Sequence, residues 1–144
     1  RIGELFEQLE KQYNSLLKQK NIRLNLEVTD SGEVGWDKTQ ITQVLINLFE
    51  NAIDAVGGNG EIKIRLTESG KGLIEIIFSD NGKGIAKENL ERIFNLYFTT
   101  NSKGSGIGLS VVQKIIAEHK GLITVQSEEN KGTSFKIILP RYYS

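Results

Sequence analysis

Gln43-Val44-Leu45-Ile46-Asn47-Leu48-Phe49-Glu50-Asn51-Ala52-Ile53-Asp54-Ala55 is the stretch around which the rest of the chain is organised. Ile41, Val44, Leu45, Leu48, Ala52 and Ala55 recur at three and four, the spacing of one helix face. Beside that stripe runs a second, made of Gln40, Gln43, Asn47, Asn51 and Asp54. Asparagine suits a helix interior poorly, because its short amide competes for backbone hydrogen bonds. Standing alone, such a flank is an ordinary solvated margin. Here three further segments follow it, each at the end of a periodic element: Asp80-Asn81-Gly82-Lys83-Gly84, Gly104-Ser105-Gly106-Ile107-Gly108-Leu109 and Gly132-Thr133.

Working outward, Asp37 and Gln40 predict a capping box at the start of this helix. Its end is expected near Val56, ahead of Gly57-Gly58-Asn59-Gly60. Upstream, Leu5, Leu9, Tyr13, Leu16 and Leu17 predict an amphipathic helix from about Gly3 to Lys20. Ile22 to Val28 alternates as a half-buried strand, Asp30-Ser31-Gly32 turns the chain, and Val34-Gly35-Trp36 is a short extended piece. Downstream, Ile62, Ile64 and Leu66, then Ile74, Ile76 and Phe78, predict a hairpin whose second strand runs into Asp80. Ala86 to Phe94 reads as a short helix, and Leu96 to Ser105 as a loop expected to be mobile. Ile107 to Lys120 is helical, with Leu109, Val112 and Ile116 on one side and Gly121 as the stop. Leu122 to Val125 and Thr133 to Leu139 are the last strands, joined by a turn over Glu128 to Gly132 and ended by Pro140. These elements predict an α+β two-layer sandwich: a mixed, mostly antiparallel sheet of about five strands, covered on one face by three helices. The other face, with Lys63, Arg65 and Glu75, is expected to be polar and open.

A length of 144 residues fits a single domain, 1–144. Eighteen basic and 18 acidic residues cancel, so no global field steers the chain to nucleic acid or to an anionic membrane. The sequence has no cysteine, which excludes disulfides and thiolate metal sites and suits a cytoplasmic protein. No apolar run reaches the length of a membrane span. The chain starts at Arg1, which is read as the beginning of a fragment. Fifteen glycines against one proline, and their clustering, point to close backbone approach to a ligand.

The chemistry follows from residue types. A carboxylate fixed at a strand end, as at Asp80, can accept a hydrogen bond from an exocyclic amine. Gly82 and Gly84 would let the backbone turn and leave room for a flat ring. Alternating glycines ahead of a helix, as at Gly104, Gly106 and Gly108, expose amides and a helix N-terminus, the physics of phosphate binding. No Gly-Lys-Ser/Thr closes this loop and no strand precedes it, so neither a Walker loop nor a dinucleotide fingerprint fits. Asn51 offers one amide oxygen, which with phosphates and waters can complete a magnesium shell. His119, in the last turn of its helix, is a structural residue whose positive charge would suit the dipole.

These segments, in this order and spacing, resemble the ATP-binding catalytic domain of sensor histidine kinases, in the superfamily shared with gyrase B, Hsp90 and MutL. Asn47 to Ala52 is similar to that family's N box, and Asp80 to Gly84 to its G1 box. Ile93 to Thr100 is similar to the F box, Gly104 to Leu109 to the G2 box, and Gly132-Thr133 to the last glycine element. The likeness covers nearly the whole chain and looks closest to the nitrogen-regulation and sporulation type. It implies a Bergerat-type ATP-binding fold with ATP and Mg2+ as cofactors. It also implies that Asp80 holds the adenine amine, helped by Thr133 through a bound water, with Gly82, Gly84 and Ile85 around the base. Asn51 would ligate magnesium, and Asn47 would bond in the phosphate region. Phe94, Thr99, Thr100, Lys103, Gly104, Ser105, Gly106, Ile107, Gly108 and Leu109 would belong to the lid and the phosphate site. Asn47, Asn51 and Lys103 are its implied catalytic residues. Two departures stand out: Asp54 occupies a position often basic in the family, and Asn101 follows Thr99-Thr100 where a lysine is common.

The implied reaction moves the γ-phosphoryl group of ATP to a histidine on a separate dimerisation domain of the same protein, and from there to a response regulator. His119 does not lie in the family's phosphoacceptor motif. The alternatives are an ATPase of the MutL and Hsp90 kind, a stand-alone serine kinase of the anti-sigma type, and a degenerate domain that only binds a partner. The first would need a glutamate where Asn47 stands, because an amide is no base, and Glu50 points elsewhere on the helix. The isolated chain is expected to be a monomer.

Overall fold

Capping, alternation and amphipathic spacing produce nine elements in the computed structural model, which describes residues 2–29, 33–68, 72–90, 93 and 108–142. In chain order they are α1 (Ile2–Gln19), β1 (Arg23–Val28), α2 (Lys38–Val56), β2 (Glu61–Glu68), β3 (Leu73–Asp80), α3 (Lys87–Leu90), α4 (Gly108–Glu118), β4 (Leu122–Glu128) and β5 (Gly132–Pro140). The strands form one sheet in the order β1-β2-β3-β5-β4. β1 runs parallel to β2, because α2 carries the chain back across the sheet between them. Every other pairing is antiparallel. α1, α2 and α4 lie on one face, with α2 central and touching β2, β3, α1 and α4.

The core lies between these layers. Ile62, Ile64, Leu66, Ile74, Ile76, Phe78, Phe135, Ile137 and Leu139 point from the sheet towards Ile41, Val44, Leu45, Leu48 and Ala52 of α2. Alternation in the strands and the three-four spacing in the helix thus meet face to face. Phe6, Phe49 and Ile115, which lie outside the stripes read from the sequence, are also buried. Phe49 is buried because the α2 stripe widens where α1 covers it. The Tyr13 ring stacks on Phe49 at a centroid distance of 5.0 Å.

Several boundaries shift. α4 ends at Glu118, and of the expected helix over Ala86 to Phe94 the stretch Lys87–Leu90 is helical, while Glu91, Arg92 and Phe94 lie outside the described residues. β4 continues to Glu128, because its pairing with β5 holds through Glu128 opposite Gly132. The short piece Val34-Gly35-Trp36 is tied to the end of β5: Trp36 Nε1 donates to the Pro140 carbonyl at 2.8 Å, and the Gly35 N–H to Arg141 at 2.8 Å.

The open face is less polar than expected. Ile77 and Ile138 sit on it half-buried, and Leu122 is 59% exposed. Ile77 stands in register between Arg65 and Lys136, whose aliphatic stems shelter it. Their charged ends pair with Glu27 and Glu75 at 3.3 and 3.1 Å. No helix among the described residues is long and apolar enough to cross a membrane.

Candidate functional site

α2 is fixed at both ends. The Asp37 carboxylate accepts from the Gln40 N–H at 3.1 Å, and the Gly57 N–H closes the helix on the Ile53 carbonyl. The second half of a capping box, in which Gln40 would reach back to the Asp37 N–H, is replaced. That N–H donates to Nε2 of His119 at 3.1 Å, while Nδ1 of the same ring lies 2.9 Å from the Ile115 carbonyl. A carbonyl only accepts, so Nδ1 carries the proton and Nε2 is the bare acceptor. His119 is therefore a buried, uncharged strut between α4 and α2, not the cation expected at a helix end.

About ten residues further along α2, Asn47 faces the start of α4, its Nδ2 donating to the Gly108 carbonyl at 3.4 Å. The two helices are thus pinned at two places, and Asn47 stands beside the N-terminal end of α4. Asn51 lies one turn on and is exposed. Glu50 is turned to the other side, where its Oε2 accepts from the Tyr13 hydroxyl at 2.8 Å. Burial first, then the Glu50 bond and charge, push the Tyr13 pKa up to about 12.

On the helix-covered face, one cross-strand row at the end of the sheet reads Ile62, Asp80, Thr133, Ser127. The Asp80 carboxylate accepts from the Gly82 N–H at 2.9 Å and from the Thr133 N–H. Burial raises its pKa above the usual carboxylate value, and these two bonds hold the rise back. Asn81 anchors the turn by accepting from the Glu61 N–H at 2.9 Å. The glycines beside it are places of close backbone packing. A Cβ on Gly82 would strike the Ala55 backbone of α2. One on Gly84, whose φ is +71°, would strike the Glu128 backbone. The Lys83 N–H donates to the Ala55 carbonyl at 3.0 Å, so the segment after Asp80 is clamped to the end of the asparagine helix. Ile85 follows, its N–H donating to Ser127 Oγ at 2.8 Å.

Asp80, Gly82, Gly84, Ile85, Thr133, Asn47, Asn51, Gly108 and Leu109 are all placed among the described residues; Phe94, Thr99, Thr100, Lys103, Gly104, Ser105, Gly106 and Ile107 lie outside them, as does the expected loop from Leu96 to Ser105. Sequence reasoning missed Ser127, Asn81 and Tyr13 as site partners. Each acts through a contact between residues far apart in the chain. Cavity size does not single out the site either. The larger depression, about 670 Å3, is at the β1 edge beside Glu10, Arg23 and Glu61 and touches none of these residues. A smaller one of about 350 Å3 includes Asp80, Ser127 and Thr133.

A carboxylate at a strand end, an asparagine helix and a helix N-terminus share one end of the fold, and residues 36–143 match the family described as histidine kinase-, DNA gyrase B- and HSP90-like ATPase. The chain belongs to that family. Its fold is that of histidine kinase catalytic domains: a nucleotide-free structure of the ThkA catalytic domain superposes with a TM-score of 0.87 at 37% identity, covering 97% of this chain and 92% of that one. ThkA in complex with the response regulator protein TrrA matches at 35% identity and a TM-score of 0.82, covering 98% of this chain and 40% of that one. Among curated relatives, the sensor histidine kinase ZraS of Escherichia coli (strain K12) is 44% identical over 122 residues, 84% of this chain and 26% of its own length. Sporulation kinase A of Bacillus subtilis (strain 168) is 39% identical over 140 residues, 97% of this chain and 22% of its own. The chain thus spans about a quarter of the length of the curated relatives it matches. As a member of the family it is an ATP-binding catalytic domain of the histidine-kinase kind.

Proposed function

We propose that the domain binds Mg-ATP and presents the γ-phosphoryl group to a histidine on a dimerisation domain of a two-component sensor kinase. A response regulator would take the phosphoryl group next, as the ThkA–TrrA complex suggests for that kinase. The supporting observation is that α2, which carries Asn47 and Asn51, is bonded both to the N-terminus of α4, through Asn47 and Gly108, and to the segment that follows Asp80, through Lys83 and Ala55. A carboxylate for a base and a helix N-terminus for phosphates are thus joined through one asparagine helix. Asp80 would take the adenine amine. Asn47, Gly108 and Leu109, with Lys103 and the rest of the glycine segment, would meet the phosphates.

Among the described residues no cluster of histidine, cysteine, aspartate or glutamate could hold a metal by itself. Asn51, exposed and carrying a single amide oxygen, fits a magnesium ion whose other ligands come from phosphates and water. Such an ion neutralises phosphate charge and orients the transferring group. The chain's own residues position the nucleotide and supply no attacking group. The incoming imidazole nitrogen bonds to the γ-phosphorus as the bond to the ADP oxygen breaks, its electron pair leaving with ADP. Water activation of the MutL and Hsp90 kind is disfavoured, since Asn47 is no base and Glu50 is held by Tyr13. The balanced charge supports neither a nucleic-acid partner nor direct membrane contact, and ATP supply suits a cytoplasmic setting.

Calorimetric titration of the wild type and Asn51→Ala with ATP and ADP, in magnesium and in chelator, tests this function. Wild-type binding should be micromolar to millimolar and stronger with magnesium. Asn51→Ala should lose affinity mainly for MgATP, and phosphotransfer to a supplied dimerisation domain should fall further still, because a displaced ion misplaces the phosphate. An equal loss in chelator and in magnesium would remove Asn51 as the metal ligand.

A further inference from the structure

Ser127 makes three hydrogen-bond contacts with one hydroxyl. Its Oγ accepts from the Ile85 N–H at 2.8 Å, lies 2.9 Å from the Gly132 carbonyl, and lies 2.8 Å from Thr133 Oγ1. A hydroxyl has one proton and two lone pairs. The Gly132 carbonyl can only accept, so the Ser127 proton belongs there. The Ile85 N–H takes one lone pair, and the other is left for Thr133, which must then donate. Only this arrangement makes all three bonds at once. The Thr133 proton is therefore committed to Ser127, and the Thr133 oxygen keeps only lone pairs for anything else.

Thr133 is directly opposite Asp80 in the β3–β5 register, so the two side chains stand side by side on the covered face. Next to the Asp80 carboxylate the site thus presents a second oxygen that cannot donate. A purine with an amine at carbon 6 offers hydrogens to such a pair, whereas a 6-oxo purine offers a carbonyl that meets lone pairs. A water between Thr133 and the ring must give Thr133 one of its protons. Its second proton then suits the bare ring nitrogen N1 of adenine, which in guanine carries a hydrogen.

We propose that Ser127 is a specificity-determining positioning residue: by holding the Thr133 proton it makes the base site all-acceptor and selects 6-amino over 6-oxo purines. This rests on the nucleotide reading above and adds a residue that need not touch the base. Replacing Ser127 by alanine frees the Thr133 hydroxyl to rotate and donate to a 6-oxo group, while Asp80 is unchanged.

The test is the ratio of ATP to GTP affinity, measured by calorimetry for the wild type, Ser127→Ala, Ser127→Thr, Thr133→Val and the double variant. The wild type should prefer ATP. Ser127→Ala should lower the ratio about five-fold, the worth of one neutral hydrogen bond, and Ser127→Thr, which keeps the hydroxyl, should restore it. Thr133→Val leaves Ser127 its bonds to Gly132 and Ile85, so it decides the matter even where Ser127→Ala folds poorly. It too should lower the ratio, and the double variant should lower it no further. Equal weakening of both nucleotides by Ser127→Ala, or an unchanged ratio in Thr133→Val, overturns the role of Ser127 alone. A wild type that binds neither nucleotide overturns the nucleotide reading and this inference with it.

Discussion

Asp80→Asn should move affinity and stability in opposite directions. In the folded protein the carboxylate is partly buried and held by the N–H groups of Gly82 and Thr133. Asparagine keeps one acceptor oxygen for those donors, but its amide places N–H groups where the second oxygen was. An amine on the bound base would then meet a donor. A hydrogen bond to a charged group is worth about 1.5 to 3 kcal/mol, or roughly ten- to a hundred-fold in affinity. The loss should be the same for ATP and ADP, because the contact is to the base. Stability responds to a different term. Burial is the larger influence on Asp80 and raises its folded pKa, so the fold opposes ionisation. The contribution of this group to stability is therefore full below the ordinary carboxylate range. It is lost as pH rises through the raised folded value. At neutral pH the wild type bears that cost and Asp80→Asn does not. The variant should melt at or above the wild type at pH 7, and the gap should close as pH falls and Asp80 becomes protonated in both states. Calorimetric titration with both nucleotides, and thermal unfolding from pH 3 to 8, measure the two effects. A variant that melts well below the wild type at pH 7 while binding ADP normally would refute both the site and the cause given for the raised pKa.

His119→Ala removes the strut between α4 and α2, costing two hydrogen bonds at about 1 kcal/mol each plus a cavity, together about 2 to 4 kcal/mol. Urea unfolding should show that loss, and nucleotide affinity should fall with it as Asn47 and Gly108 lose their register. Unaltered stability would show the ring to be dispensable. Tyr13→Phe keeps the stack on Phe49 and loses only the bond to the exposed Glu50, costing about 0.5 to 1.5 kcal/mol. Because the folded Tyr13 pKa is raised to about 12, the wild type keeps this contribution below pH 10 and loses it as pH climbs towards 12. Unfolding followed from pH 9 to 12 should fall more steeply in the wild type than in the variant, and parallel curves would refute the raised Tyr13 pKa, whose larger cause is burial and whose smaller one is Glu50.

The periodic segments determined the fold without help. Alternation in Ile62-Ile64-Leu66 and Ile74-Ile76-Phe78, and the three-four stripe of α2, each define one oily face, and two such faces can only be buried against each other. Asn47, Asn51, Asp80 and Thr133 also stood out in the sequence: Asp80 and Thr133 bound strand patterns that apolar residues would otherwise continue, and Asn47 and Asn51 are poor helix formers beside the apolar stripe. What those side chains touch was decided by the tertiary structure alone. Asp37 and His119, Tyr13 and Glu50, Asn81 and Glu61, and Ile85 and Ser127 are bonded across 20 or more positions. No local spacing encodes such a partner. Gly82 and Gly84 show the same division: their clustering marked a place of close approach, but only packing revealed that the approaching groups are the backbones of α2 and of the β4–β5 turn. The Ser127 hydroxyl is the extreme case. Its polar face in a short strand looks like any other serine, and its proton acquires a direction only when Gly132, Thr133 and Ile85 surround it in three dimensions.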